Sequence, residues 1–164
     1  MNRLIIGTAL IAMLGACAGT PPIAPATDAK TSAKAASATS TVPAYKDPGN
    51  VLSQKRSVYF EVDNYTVKDQ FHVMANAHAK YLSANRGQKI RIEGNTDENG
   101  SSEYNLALGQ KRAHAVQKVM TLLGVQESQI EAVSFGEEKP KAAGHDETSW
   151  MENRRADIKY GDEK

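Results

Sequence analysis

Asp97 and Arg112 are the two side chains of this sequence best placed to recognise a charged partner. Asp97 lies in the polar run Asn95-Thr96-Asp97-Glu98-Asn99-Gly100, directly after the alternating stretch KIRIEG (89–94). Arg112 lies in the segment that follows, whose apolar residues recur at helical spacing. Asn105, Leu108 and Arg112 stand at i, i+3 and i+7, on one line that borders the apolar stripe of that helix. An anion in a turn and a cation at the edge of a core suit a ligand that carries both an ammonium and a carboxylate. The Asp97 carboxylate accepts from the ammonium. The Arg112 guanidinium grips the carboxylate with two parallel N–H donors, a geometry that lysine cannot imitate. The same spacing also fits a plainer arrangement, in which Asp97 caps the helix and Arg112 is a surface residue paired with Glu103 or Asp97.

Other chemistry is poorly supported. His72, His78, His114 and His145 show neither the HExxH pattern nor the i, i+4 spacing of a metal site, so no metal or cofactor is expected. His78 falls on an apolar helix face and reads as a buried, hydrogen-bonded histidine. His145-Asp146-Glu147 reads as a loop capping a short helix, and Trp150, the only tryptophan, as packing for that helix. A hydrolase needs an activated nucleophile, a zinc set or paired carboxylates in a cleft. The only cysteine is Cys17, no G-x-S-x-G occurs, and Glu93 has no evident partner acid, so the chain is not expected to be an enzyme.

The elements that must position these residues alternate between strand and helix. SVYFEV (57–62) reads as a strand. A helix follows a turn at 64–68 and runs to about Asn85, with Val67, Phe71, Met74, His78, Tyr81 and Leu82 on its inner face. KIRIEG is the second strand, and residues 102–123 form a helix with Leu106, Ala113, Val116, Met120 and Leu123 inward. IEAVSF (130–135), a short helix at 148–154 and a strand at 155–160 complete the pattern. Gly100 and Gly124 suit the positive-φ positions at which such helices begin and end. The alternation implies an α/β (α+β) two-layer sandwich with at least one parallel strand pair.

The N-terminus reads as a leader and a tether. Arg3 precedes an apolar run of about ten residues, too short to span roughly 30 Å of hydrocarbon. It ends in Leu14-Gly15-Ala16-Cys17, so residues 1–16 read as a lipoprotein signal peptide and Cys17 as the acylated residue. Residues 17–54 are rich in Ala, Thr, Ser, Pro and Lys and read as a disordered tether. Such a tether would reach about 120 Å when stretched. The folded domain is expected over 55–164. With Arg3 set aside, Lys and Arg match the 19 Asp and Glu in number, and the balance argues against nucleic acid as a partner.

The stretches VYFEVDNYTVK, IEGNTDENGSSEYNLALGQKRAHAV, SFGEEKP, HDE and ENRRADIKY, in this order, resemble the peptidoglycan-associated lipoproteins of the OmpA-like family. The resemblance implies a β-α-β-α-β domain with a mixed four-stranded sheet. It reads N-x₂-L-x₃-R-A-x₂-V (Asn105, Leu108, Arg112, Ala113, Val116) as a peptidoglycan-binding signature. It implies that Asp97 and Arg112 hold meso-diaminopimelate of the stem peptide, with Phe60, Glu61, Thr96, Asn105, Leu108 and Arg155 around the pocket. Position 61 is Glu where the family commonly has Asp, and position 95 is Asn where it commonly has His. Further implications are outer-membrane anchoring through the Cys17 lipid with the domain facing the periplasm, membership of the Tol-Pal system in envelope integrity and division, and a TolB-like periplasmic protein as partner. The alternative is a wall anchor or structural lipoprotein with no Tol partner.

Overall fold

The computed structural model describes residues 42–161; the leader, Cys17 and tether residues up to 41 lie outside the described residues. Strands β1 (Ser57–Tyr59), β2 (Ile90–Asn95), β3 (Ile130–Gly136) and β4 (Arg155–Tyr160) form one sheet in the order β1-β4-β2-β3. β2 and β3 run parallel, and β4 is antiparallel to both of its neighbours. The helices are α1 (Val51–Gln54), α2 (His72–Ala84), α3 (Ser102–Leu122) and α4 (Glu147–Asn153). A parallel pair cannot be closed by a tight turn, and α3 supplies the crossover between β2 and β3. The expected two-layer sandwich with a mixed four-stranded sheet is the observed architecture.

Alternation along the strands sends Val58, Ile90, Ile92, Ala156, Ile158 and Tyr160 into one core with Met74, Ala79 and Leu82 of α2 and Ala113, Val116 and Met120 of α3. Two glycines let α3 lie directly on β2. A Cβ on Gly94 would stand 1.9 Å from the Gly109 carbonyl oxygen, and one on Gly109 would stand 2.3 Å from Ser134 Oγ. Arg112 follows Gly109 by one turn, so this contact fixes how near its side chain comes to the end of β2.

Three expectations need correction. The segment 42–54 is not wholly tether: Tyr45 and Leu52 are buried, α1 covers 51–54, and the Tyr45 ring stacks on Tyr160 at 4.1 Å. The first strand stops at Tyr59 rather than 62, because the chain turns away with Asp63 at φ 50. The inward face of α3 carries Asn105, Leu108, Gly109, Arg112, Ala113, Val116 and Met120, whereas Leu106 is 53% exposed and Leu123 40% exposed. The helix is rotated from the expected stripe because a polar Asn and a charged Arg take places on its buried side.

His78 is buried as expected. One ring nitrogen lies 2.8 Å from the Tyr160 hydroxyl and the other 2.8 Å from the Lys55 carbonyl oxygen. Burial pushes its pKa below the ordinary histidine range, opposed by the Lys55 hydrogen bond and reinforced by the Arg56 charge.

Candidate functional site: a buried charge cluster at the end of β2

β2 ends at Asn95, and the next two residues turn into the β2–α3 loop. Gly100 takes φ 113 there, and Ser101 caps α3 by accepting from the Tyr104 N–H at 3.2 Å. Asp97 is therefore not the helix cap. One of its oxygens accepts from the Asn99 N–H at 3.1 Å, and the other accepts from Arg154 Nη1 at 3.0 Å. Both members of that ion pair are nearly buried.

Arg112 does not emerge at the rim of the core; it is 0% exposed. Its Nε donates to the Asn64 carbonyl at 2.9 Å, Nη1 to the Asn95 carbonyl at 2.9 Å and Nη2 to the Glu61 carbonyl at 3.1 Å. The guanidinium stands 5.3 Å from the Phe60 ring centre, within cation–π range. Loss of water pushes its pKa down to about 10, against the supporting charge of Asp97 and with the opposing charge of Arg154. Asp97, Arg112 and Arg154 thus form one electrostatic cluster, even though the hydrogen bonds of Arg112 go to carbonyls.

The other expected site residues divide. Phe60 is buried against the Arg112 guanidinium, and Leu108 is buried on α3 one turn before Arg112. Thr96 is 2% exposed and its hydroxyl has no partner; Asn105 holds Glu137 through Nδ2 at 2.5 Å, while its Oδ1 has none. The third unpartnered buried side-chain oxygen among the described residues is Asn95 Oδ1, next to Thr96. A buried polar atom without a partner is costly, and the three, on the end of β2, the loop after it and the first turn of α3, mark unused hydrogen-bonding capacity. Glu61 is exposed, and its carboxylate pairs with Lys68, which holds it below the ordinary carboxylate range.

Arg155 does not belong to this corner. It points to the sheet face away from the core, where Nε meets Asp157 at 2.9 Å and Nη2 the Lys139 carbonyl at 3.1 Å. Arg154 takes the expected place. Beyond Asp97 it reaches Glu147 at 2.6 Å and the Phe60 carbonyl at 3.4 Å. Strand alternation held the signal for it: Ala156, Ile158 and Tyr160 point inward, so the inward arginine is the even-numbered one.

One cavity reaches the cluster at Arg154, and another lies at Thr96 and Glu98, the neighbours of Asp97 in the chain. The first, of about 340 Å³, is lined by Phe60, Glu61, Lys68, Met151 and Arg154 among others. The second, of about 310 Å³, is lined by Thr96, Glu98, Glu137, His145 and Asn153 among others. A larger one, about 440 Å³, lies at the far end of the strands beside Lys89, Ile130 and Tyr160. It borders none of the three unpartnered oxygens, and ligands of open α/β sheets favour the carboxyl ends of parallel strands, where the cluster is.

Residues 59–154 match the OmpA family. The chain belongs to the OmpA family. Within the family it is similar to the peptidoglycan-associated lipoprotein of Pasteurella multocida, at 47% identity over 63% of this chain and 69% of that one. The corresponding protein of Pseudomonas putida is 50% identical over 62% of this chain and 60% of its own length. The chain thus spans about three fifths to two thirds of these curated relatives. The crystal structure of the peptidoglycan-associated lipoprotein from Burkholderia pseudomallei superposes with a TM-score of 0.70, at 56% identity, covering 72% of this chain and 99% of that one. These relatives are named for an association and not for a reaction. In this OmpA-family domain the N-x₂-L-x₃-R-A-x₂-V run is the buried face of α3, and its arginine is the floor of the charge cluster.

Proposed function

We propose that the chain is an outer-membrane lipoprotein that binds peptidoglycan without a covalent bond, through the meso-diaminopimelate of a stem peptide. The observation that carries this reading is the convergence of Asp97, Arg112 and Arg154 in one water-poor corner beside unpartnered oxygens of Thr96 and Asn105. Asp97 accepts from the ligand ammonium, and the Thr96 and Asn105 oxygens are acceptors at hand for its remaining N–H groups. Arg112 and Arg154 take the carboxylate. Charge-assisted hydrogen bonds contribute about 1.5–3 kcal/mol each, so one stem peptide is bound at about micromolar strength after ordering costs. A lipid on Cys17 and the repetition of stem peptides in the wall strengthen attachment through effective concentration. The names of the relatives support the wall ligand and the lipoprotein reading. No helix among the described residues is long and apolar enough to cross a membrane. In this reading the domain faces the periplasm and serves the Tol-Pal system in envelope integrity and division, with a TolB-like periplasmic protein as its partner.

Co-sedimentation with purified peptidoglycan tests the site. The wild-type chain pellets with the wall. Asp97→Asn and Arg112→Lys, which alter the clamp with little change of volume, lose about ten- to a hundredfold in affinity with unchanged circular dichroism. Two folded variants that pellet like wild type would remove the site assignment. A pull-down from periplasmic extract, with and without excess stem peptide, tests the partner: a TolB-like protein is captured, and the peptide displaces it.

A further inference from the structure

The cation proposed to grip a carboxylate has no open face, and what covers it is specific. The side-on edge of a guanidinium, Nε with Nη2, is one of the two forks that a carboxylate can engage with both oxygens. In Arg112 the Asn64 carbonyl occupies Nε at 2.9 Å and the Glu61 carbonyl occupies Nη2 at 3.1 Å. Both carbonyls belong to one short segment between β1 and α2, whose residues 61–66 are exposed to solvent. That segment therefore covers the fork with residues that themselves face water. Beyond its two bonds to Arg112, its contacts lie at the surface. The Tyr104 hydroxyl donates to Asp63, Lys68 pairs with Glu61, and Lys111 Nζ stands 5.5 Å from the Tyr65 ring. Asp63 holds φ 50, the only positive φ of a non-glycine residue among those described, so the closed turn stores conformational strain at its centre.

We infer that residues 61–66 are a strap that keeps Arg112 switched off by presenting two backbone carbonyls in place of the two oxygens of a ligand carboxylate. The Tyr104–Asp63 contact is the latch. The inference rests on the wall-binding reading above. Opening exchanges like for like: two carbonyl acceptors leave the fork and two carboxylate oxygens enter it. The desolvated cation is never left without acceptors, and the affinity seen in solution is the intrinsic affinity multiplied by the open fraction. A latch made of exposed groups sets that fraction without holding the strap down firmly, and release of the strained turn at Asp63 favours opening.

Tyr104→Phe tests this, because it removes the latch hydroxyl and leaves the ring. The full chain is measured by surface plasmon resonance against immobilised L-Ala-γ-D-Glu-meso-diaminopimelate, and solvent exchange of the Arg112 Nε proton is followed by ¹⁵N NMR without ligand. The expected result is an association rate about three- to tenfold faster, a nearly unchanged dissociation rate, and Nε exchange faster by a similar factor. Tripeptide binding with association and exchange both unchanged overturns the strap and leaves the wall reading standing. A variant that binds more weakly overturns the strap as well, since it makes Tyr104 a ligand contact. Absence of tripeptide binding in wild type and variant alike overturns the wall reading and the strap's role together.

Discussion

Two clusters of buried charge share this sheet, and they differ in what they leave over. On the face away from the core, Glu93 and Asp157 stand opposite each other in the β2–β4 register. Each of their four carboxylate oxygens has a partner. Arg91 meets Glu93 Oε1 at 2.5 Å and Lys139 lies 3.6 Å from Oε2; Ser57 meets Asp157 Oδ1 at 2.6 Å and Arg155 meets Oδ2 at 2.9 Å. At the end of β2 the balance does not close: Arg112 leans on borrowed carbonyls, and Asn95, Thr96 and Asn105 keep unpartnered oxygens. Density of charge is the same kind of feature in both places. Unspent hydrogen-bonding capacity sets the proposed site apart from a brace.

The sharpest way to break that contrast is to remove one partner from each cluster. Asp157→Ala strips Arg155 of its carboxylate where both side chains are nearly buried. It should cost about 3 kcal/mol in urea unfolding, with wall binding by the remaining folded protein unchanged. Arg154→Ala should act on both readouts, losing wall affinity about tenfold or more and some stability through the orphaned Asp97. Arg155→Ala should follow Asp157→Ala. Wall binding lost with Arg155 and kept without Arg154 would reverse the assignment.

The fold was largely legible because strand alternation and helical spacing report burial directly. Ile90, Ile92, Ala156, Ile158 and Tyr160 sit where period two puts them, and Ala113, Val116 and Met120 where the helical period does. Legibility failed where the inward residue is polar. Leu106 and Leu123 drew the expected face of α3 outward because Asn105 and Arg112 were not assumed to be core. The segment 42–54 looked like tether because composition averages over a window, while its order depends on two residues, Tyr45 and Leu52. Residue type and spacing singled out Asp97 and Arg112 but also fitted a helix cap and a surface arginine, and the family resemblance pointed to a binding pair. Burial of Arg112 under the 61–66 strap depends on a turn at Asp63 that no local pattern announces.

His78 extends the comparison to a third buried polar group, one fully partnered inside the core. Its folded pKa lies below the ordinary value near 6.5, so the unfolded chain takes up the proton first as pH falls. The histidine therefore contributes stability that is present above about pH 6.5 and is lost as pH drops toward the folded value, at up to about 1.4 kcal/mol per pH unit. Protonation also ends acceptance from the Tyr160 hydroxyl by the ring nitrogen beside it. Urea unfolding between pH 7.5 and 5, in steps of about half a unit, should show this loss, and His78→Phe should flatten it. Wall binding by the folded fraction should change far less than stability over the same range, because no histidine touches Asp97, Arg112 or Arg154 among the described hydrogen bonds.

The smallest expected effect belongs to Glu61, and it sharpens the contrast from the other side. Its carboxylate is exposed and satisfied by Lys68, while its backbone carbonyl caps Arg112. The two groups of one residue thus serve different purposes: the carboxylate pairs with Lys68 and feels the charge of Arg154 only weakly, while the carbonyl occupies the Arg112 fork. Shortening the side chain with Glu61→Asp keeps the charge and leaves the carbonyl where it is. Exposed ion pairs contribute little. Wall affinity should therefore change by less than about twofold, and the melting temperature should not move measurably. Proline at the same position is the informative counterpart, since it restrains the backbone that carries the carbonyl. If Glu61→Asp alone altered wall binding by tenfold, the carboxylate would be a ligand contact, and the strap would act through its side chains rather than its peptide groups.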